Sequence, residues 1–408
     1  MKVLQINAIY GYGSTGVITK AIQQCCLDNG IDAYVAFPKG QGVPNDHTYE
    51  IGCAWDHKVH AFLMRIFGKQ AYFSHCPTKG LLRFIDKLQP DIVHLHNLHS
   101  NYIHLNMLLR YLAEKDIATV ITMHDCWYFT GGCMHYASMN CQRWQTGCGH
   151  CPVWKSFPSW FFDSTTSVLK DRKKYLDAIP RLTIVGASEW IANEARKSVL
   201  KEKYICYIHN GFDLSVFKPT PSDRRKQLGI DDRFVILGPA NKWLLPVNKP
   251  TLDYFIENMT DDMVLVLFGN PNKNESLPKQ VIQLGYTSSR QEMAELYSMA
   301  DVFVNCSRED TLSSLNLECQ ACGTLVVTYD ATGSKETVDG NCGFAVPTGD
   351  YEGLWDKVLE IKDKGKESFS SQCVEWVSSH FDKKRNYERY IELYKKITKQ
   401  CHLRKEYF

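Results

Sequence analysis

Residues 302–337, VFVNCSREDTLSSLNLECQACGTLVVTYDATGSKET, constrain the fold more than any other stretch of the chain. Val302-Phe303-Val304 is a short β-branched and aromatic run that reads as a buried strand. A polar loop follows from Cys306 to Thr311. A hydroxyl at Ser313 or Ser314 suits a helix N-cap, accepting from the free N–H groups of the first turn. Gly323 suits the position after the helix end, and Leu325-Val326-Val327 reads as the next strand. Strand, loop, helix and strand is the unit of a parallel sheet. Ligands of such sheets bind beyond the carboxyl ends of the strands, where the 307–314 loop falls. Free N–H groups and the positive end of the helix dipole favour a phosphate there. Asp310 and Glu318 add two carboxylates that can accept from the hydroxyls of a ribose or hexose.

The same alternation runs through the rest of the chain. Val3-Leu4-Gln5-Ile6 reads as a strand, Gly11 to Gly16 as a glycine-rich turn, and Val17 to Asn29 as a helix closed by Gly30. After a first strand, Gly13 and Gly16 can let main-chain N–H groups approach a phosphate or sugar. Strands over 91–96 and 118–123 end in His96 and in His124-Asp125, which places both histidines at strand tips. Leu182 to Val185 and Ile205 to Ile208 continue the series. The pattern restarts at Phe234 to Gly238, with Lys242 in its loop and Lys249 opening the next helix. Pro219, Pro221 and Asp223 mark a linker between the halves.

With 408 residues the chain is long enough for two large cores. Its 44% hydrophobic and 23% charged residues are those of a soluble globular protein, and a net charge of +2 argues against nucleic acid as the main partner. No apolar run approaches the ~18 residues of a membrane span, and the first residues enter a strand directly, so a cytoplasmic protein is expected. The 58–73 segment, KVHAFLMRIFGKQAYF, reads as a core helix with a wet edge. The alternative is a face resting on an anionic membrane surface. Most of the sixteen cysteines fit small buried apolar residues. Cys133, Cys141, Cys148 and Cys151 crowd one loop, which leaves structural zinc, reduced thiols and disulfides open.

Asp310-x7-Glu318, continued by Cys319-Gln320-Ala321-Cys322-Gly323-Thr324, resembles the E-x7-E signature of retaining family 4 glycosyltransferases of the GT-B architecture. Asp310 stands for the first glutamate, and Leu325 for the usual proline. Ile208 to Pro219 is similar to the segment that ends the first domain in that family. The resemblance implies an α/β chain of two doubly wound, Rossmann-like parallel-sheet domains facing a central cleft. Residues 1–218 would lie on the acceptor side and 219–380 would bind the nucleotide sugar, with the 381–400 helix packing back on the first domain. It further implies that Lys242, Lys249 and the N–H groups of Leu312, Ser313 and Ser314 hold the donor diphosphate. Glu318 would accept from the ribose, Asp310 and His124 would position the sugar, and Gly13 and Gly16 would face the donor. No catalytic metal or other cofactor is implied. The implied partners are a nucleotide-diphosphate sugar and a glycan or lipid-linked acceptor in surface-polysaccharide synthesis, with contact at the cytoplasmic membrane face as an open point. A nucleotide-sugar epimerase or hydrolase, or a non-catalytic sugar-nucleotide-binding protein, is the alternative reading.

Overall fold

The computed structural model describes residues 1–155, 160–269 and 277–405. Two compact units divide the chain, Met1–Asn210 with Lys384–Phe408, and Gly211–Lys383. In the first, β1 (Lys2–Ile6), β2 (Asp32–Pro38), β3 (Thr48–Ile51), β4 (Ile92–Leu95), β5 (Ala118–Met123), β6 (Leu182–Gly186) and β7 (Tyr204–Tyr207) form one parallel sheet in the order β3-β2-β1-β4-β5-β6-β7. In the second, β8 (Phe234–Pro239), β9 (Met263–Phe268), β10 (Val281–Gln283), β11 (Val302–Asn305), β12 (Leu325–Tyr329) and β13 (Gly343–Val346) form another, in the order β10-β9-β8-β11-β12-β13. The central strands β4, β5, β9, β11 and β12 are buried along their whole length. Helices on both faces of a parallel sheet require this, which is why these strands are near-continuous apolar runs. Strand order reverses between β1 and β4 in one sheet and between β8 and β11 in the other. The crevice for a ligand in a doubly wound sheet opens at such a reversal.

Helix starts and faces depart from the sequence reading in two places. The first helix spans Gly13–Asp28 and so begins four residues before Val17, because Gly13 adopts a φ of 61° and turns the chain directly into it. The segment expected to be a core helix is an exposed one. Ala54–Phe67 ends at Gly68 and a second helix, His75–Leu88, follows. Of the Ala54–Phe67 helix only His60 and Met64 are buried, while Trp55, Val59 and Phe62 stand out in solvent. They lie at i, i+4 and i+7, one face of a helix. Phe161 and Phe162 extend the apolar surface, with the Phe161 N–H donating to Arg65 O at 2.9 Å. Among the described residues no helix is long and apolar enough to cross a membrane.

The last helix, Lys383–Lys405, lays Tyr387, Tyr390, Ile391 and Tyr394 on Val3, Ile18, Ala21 and Ile22. It also adds polar links to the strand tips. Tyr394 Oη lies 2.6 Å from His94 Nδ1, and Tyr390 Oη lies 2.9 Å from Thr122 Oγ1. Ile391→Ala removes buried methyl groups from this seam and is expected to cost about 2–5 kcal/mol of unfolding free energy, measured by denaturant titration.

Candidate active site

The loop after β11 is built around Asn305. Its buried side-chain Nδ2 donates to Ser313 Oγ at 3.0 Å and to Asn316 Oδ1 at 2.8 Å, and its Oδ1 accepts from Ser307 N at 3.1 Å. Ser313 occupies the N-cap position of the Ser314–Ala321 helix, but its hydroxyl accepts from Asn305 and makes no cap hydrogen bond. The expected capping role is thereby corrected, and the first-turn N–H groups keep no side-chain cap. Leu312 and Ser313 are buried, and Ser314 is half-buried. Across from the loop, Thr332 Oγ1 accepts from Asp310 N at 2.8 Å and Gly333 N donates to Asp310 O at 2.9 Å. A Cβ on Gly333 would stand 1.8 Å from Thr311 O, so only glycine allows this approach. Two buried hydroxyls beside it, Thr311 Oγ1 and Ser334 Oγ, have no hydrogen-bond partner. Buried hydroxyls are rarely left unpaired.

Asp310 is half-buried on this loop, and Glu318 lies one helical turn further in. Tyr297 Oη donates to Glu318 Oε2 at 3.3 Å. Burial pushes the Glu318 carboxyl up to about 7, against the opposing pull of Arg290 and the Tyr297 hydroxyl.

Of the two expected lysines, Lys242 bears on the loop, and Lys249 follows Asn248, which is hydrogen-bonded to it. Lys242 and Arg308 both bear on the buried Cys306, whose thiol burial pushes up to about 12. Neither forms an ion pair with a carboxylate among the described residues. Arg308 Nε donates to Asn248 Oδ1 at 2.9 Å, and buried Asn248 Nδ2 donates to Lys242 O at 3.0 Å and Cys306 O at 2.9 Å. One amide thus fixes the β8 loop against the β11 loop, at the strand-order reversal. Lys249 is exposed and pairs with Asp253 at 2.7 Å. Arg308, Asn248, Thr311 and Ser334 were not singled out in the sequence. A cation just past a strand's carboxyl end is the one signal that marks Arg308.

At the reversal in the first unit, buried Asn7 closes β1. Its Nδ2 donates to Ile9 O at 3.0 Å and Thr19 Oγ1 at 2.9 Å, and its Oδ1 accepts from Ala8 N and from Asn97 N. Gly13 is exposed at the start of the first helix. Gly16 is buried, and a Cβ there would meet Ile9 C at 3.2 Å, so it serves the packing of turn on helix. His96 Nδ1 lies 3.1 Å from His124 Nε2, and the two rings are nearly parallel. His124 is the more exposed of the pair, and burial lowers its imidazole to about 4. Asp125, its neighbour in sequence, pairs instead with His99 Nε2 at 3.2 Å. Cys133, Cys141, Cys148 and Cys151 line one cavity of about 20 Å³, and all four are free thiols. Among the described residues no three His, Cys, Asp or Glu side chains are placed to hold a metal ion.

Two Rossmann-like parallel sheets, each with a strand-order reversal, are the fold of the GT-B glycosyltransferases. The family comparisons agree. A "Glycosyltransferase Family 4" model matches residues 16–216, and a "Glycosyl transferases group 1" model matches residues 241–363. The chain belongs to the family 4 glycosyltransferases. It is 20% identical over 368 residues to the putative colanic acid biosynthesis glycosyl transferase WcaC of Escherichia coli, covering 85% of this chain and 87% of that one. Over 194 residues it is 29% identical to the N,N'-diacetylbacillosaminyl-diphospho-undecaprenol alpha-1,3-N-acetylgalactosaminyltransferase of Campylobacter jejuni, 44% of this chain and 48% of that one. In fold it is similar to the sucrose-phosphate synthase of Thermosynechococcus elongatus, with a TM-score of 0.68 at 15% identity over 98% of this chain and 99% of that one. The Anabaena protein Alr3699/HepE in complex with UDP gives 0.65 at 15% identity, over 96% and 99%.

Glu318 yields a stability prediction. Its folded value of about 7 lies above the ordinary 4.5. Between those values the folded chain holds a proton that the unfolded chain has released, so stability falls as pH rises through about 4.5 to 7. Above that window the ionised carboxylate costs on the order of 3 kcal/mol. Glu318→Gln is therefore expected to melt higher than the parent at pH 8, with the gain vanishing below about pH 5, as read by melting curves across pH.

Proposed function

We propose that the chain transfers a sugar from a nucleoside-diphosphate donor with retention of anomeric configuration. The helix start at Ser313-Ser314 carries this reading, since it has no side-chain cap and two buried hydroxyls beside it lack partners. The N–H groups of Leu312, Ser313 and Ser314 would hold the diphosphate together with Lys242 and Arg308. As the sugar–oxygen bond breaks, negative charge grows on the leaving diphosphate. Donors already fixed in place stabilise that charge without reorganising. Glu318 would accept from the ribose, and Asp310 and His124 would position the sugar. Lys249 would have to leave Asp253 before it could reach a phosphate. HepE, a fold neighbour, is described with UDP and with UDP-glucose, which supports a uridine donor class. Retention is supported by the family 4 signature alone.

The names of two relatives point to the acceptor class. WcaC is named for colanic acid biosynthesis, and the Campylobacter enzyme for an undecaprenyl-diphosphate-linked acceptor. A lipid-linked glycan is accordingly the proposed acceptor. The exposed Trp55, Val59, Phe62, Phe161 and Phe162 surface, with Lys58, Arg65 and Lys69 along it, would rest on anionic lipid.

UDP at a hundred times its Kd should stabilise the protein by about 2.7 kcal/mol. Arg308→Ala or Lys242→Ala should weaken that binding by roughly tenfold or more, as expected for loss of a charge-assisted contact. NMR of the product should show the donor's anomeric configuration, whereas inversion would contradict the assignment. Phe62→Ser combined with Trp55→Ser should abolish co-sedimentation with phosphatidylglycerol vesicles. The parent's binding should weaken with added salt.

A further inference from the structure

The first unit holds a chain of three side chains whose hydrogen-bond polarity is fixed from its buried end. Gln5 lies on β1 and is fully buried. Its Nε2 donates to Thr19 O at 3.2 Å, which leaves Oε1 facing His96 Nε2 at 3.0 Å. The reverse amide orientation would set two acceptors against each other at Thr19. Oε1 can only accept, so His96 Nε2 carries a hydrogen. His96 is fully buried, beside the rings of His94 and His124 at 4.1 and 5.4 Å. Asp125, at the tip of the next strand, is engaged by His99 at 3.2 Å. The Tyr128 hydroxyl donates to the His96 carbonyl and leaves the ring alone. His94 spends both its nitrogens on Tyr394 and Thr122, at 2.6 and 2.7 Å. In these surroundings His96 is neutral, its imidazole lowered well below the ordinary value by burial first and by the two histidines second.

A neutral His96 with hydrogen on Nε2 has only a lone pair at Nδ1. The 3.1 Å contact to His124 Nε2 then requires that His124 donate. We propose that Gln5 is a positioning residue of the transferase: through His96 it fixes His124 as the Nε2-protonated tautomer, so that His124 presents Nδ1 as an acceptor to the ligand. This rests on the reading above that His124 meets the sugar. An acceptor at Nδ1 takes a hydrogen bond from a sugar hydroxyl and orients it. A donor at the same atom would turn that hydroxyl round.

Gln5→Glu reverses the polarity at nearly constant shape. A carboxylate beside His96 Nε2 favours the imidazolium. Both His96 nitrogens then donate, His124 Nε2 must accept, and its hydrogen moves to Nδ1. The test is the ¹⁵N imidazole spectrum of histidine-labelled, ligand-free protein near pH 7.5, assigned with His96→Gln and His124→Gln. The parent should show His124 protonated at Nε2, and Gln5→Glu should show it protonated at Nδ1. Gln5→Met, which removes the acceptor and keeps the volume, should mix the two tautomers and serves if the glutamate variant does not fold. In Gln5→Glu, kcat should fall tenfold or more while the thermal shift given by UDP stays unchanged. A parent His124 protonated at Nδ1, or a tautomer insensitive to Gln5, overturns the relay. Tautomers as expected with an unchanged kcat would leave the relay standing and overturn the contact between His124 and the sugar.

Discussion

The buried amide of Asn305 is the constraint on which the donor half of the molecule depends. It closes an otherwise apolar strand, and burial obliges each of its polar atoms to find a partner. Nδ2 takes Ser313 and Asn316, Oδ1 takes Ser307, and its carbonyl takes Thr328 Oγ1 at 3.1 Å. Strand end, loop, helix start and neighbouring strand are fixed in one conformation by a single residue. Asn316 passes the constraint on to Thr337 at 2.9 Å, and Gly333 closes the other side against Thr311. The Ser313 hydroxyl is drawn to Asn305, and no side chain caps the helix start. Asn7 plays the matching part in the first unit, holding the turn after β1 and the loop after β4 at that sheet's reversal.

Chemistry and stability pull in opposite directions at this site. Glu318 is held where its ionised form is costly, and two cations lie near the loop without carboxylates of their own. A chain selected for stability alone would pair or remove such groups. Charged groups held without an ion-pair partner are expected of a binding site. In the proposed reading a diphosphate would bring the charge that Lys242 and Arg308 lack, and a ribose the hydroxyl that Glu318 would accept from.

How much of this was legible follows from range. Strands that are buried on both faces announce themselves as apolar runs, so the parallel sheets could be read from residues 92–95, 118–123, 263–268 and 325–329. Ser313-Ser314 and Gly323 marked the ends of the helix for a similarly local reason, and the Asp310–Glu318 spacing carried the family resemblance. What escaped depends on contacts between distant residues. Ser313 looks like a cap from its neighbours and does stand at the N-cap, and only the structure shows its hydroxyl bonded to Asn305 and not to the first turn. The Ala54–Phe67 helix has the composition of a core helix, and which face is buried depends on what packs against it. Gln5 reads as one more strand residue, and its bond to His96 spans 91 positions.

The central claim is that the start of the Ser314–Ala321 helix is an anion site for a nucleoside diphosphate. The most direct measurement is a crystal structure of the chain with UDP. The account predicts phosphate oxygens within hydrogen-bond distance of the Ser313 and Ser314 main-chain nitrogens, with Lys242 and Arg308 reaching the same group. A diphosphate bound elsewhere, with that helix start still uncapped and empty, would contradict it.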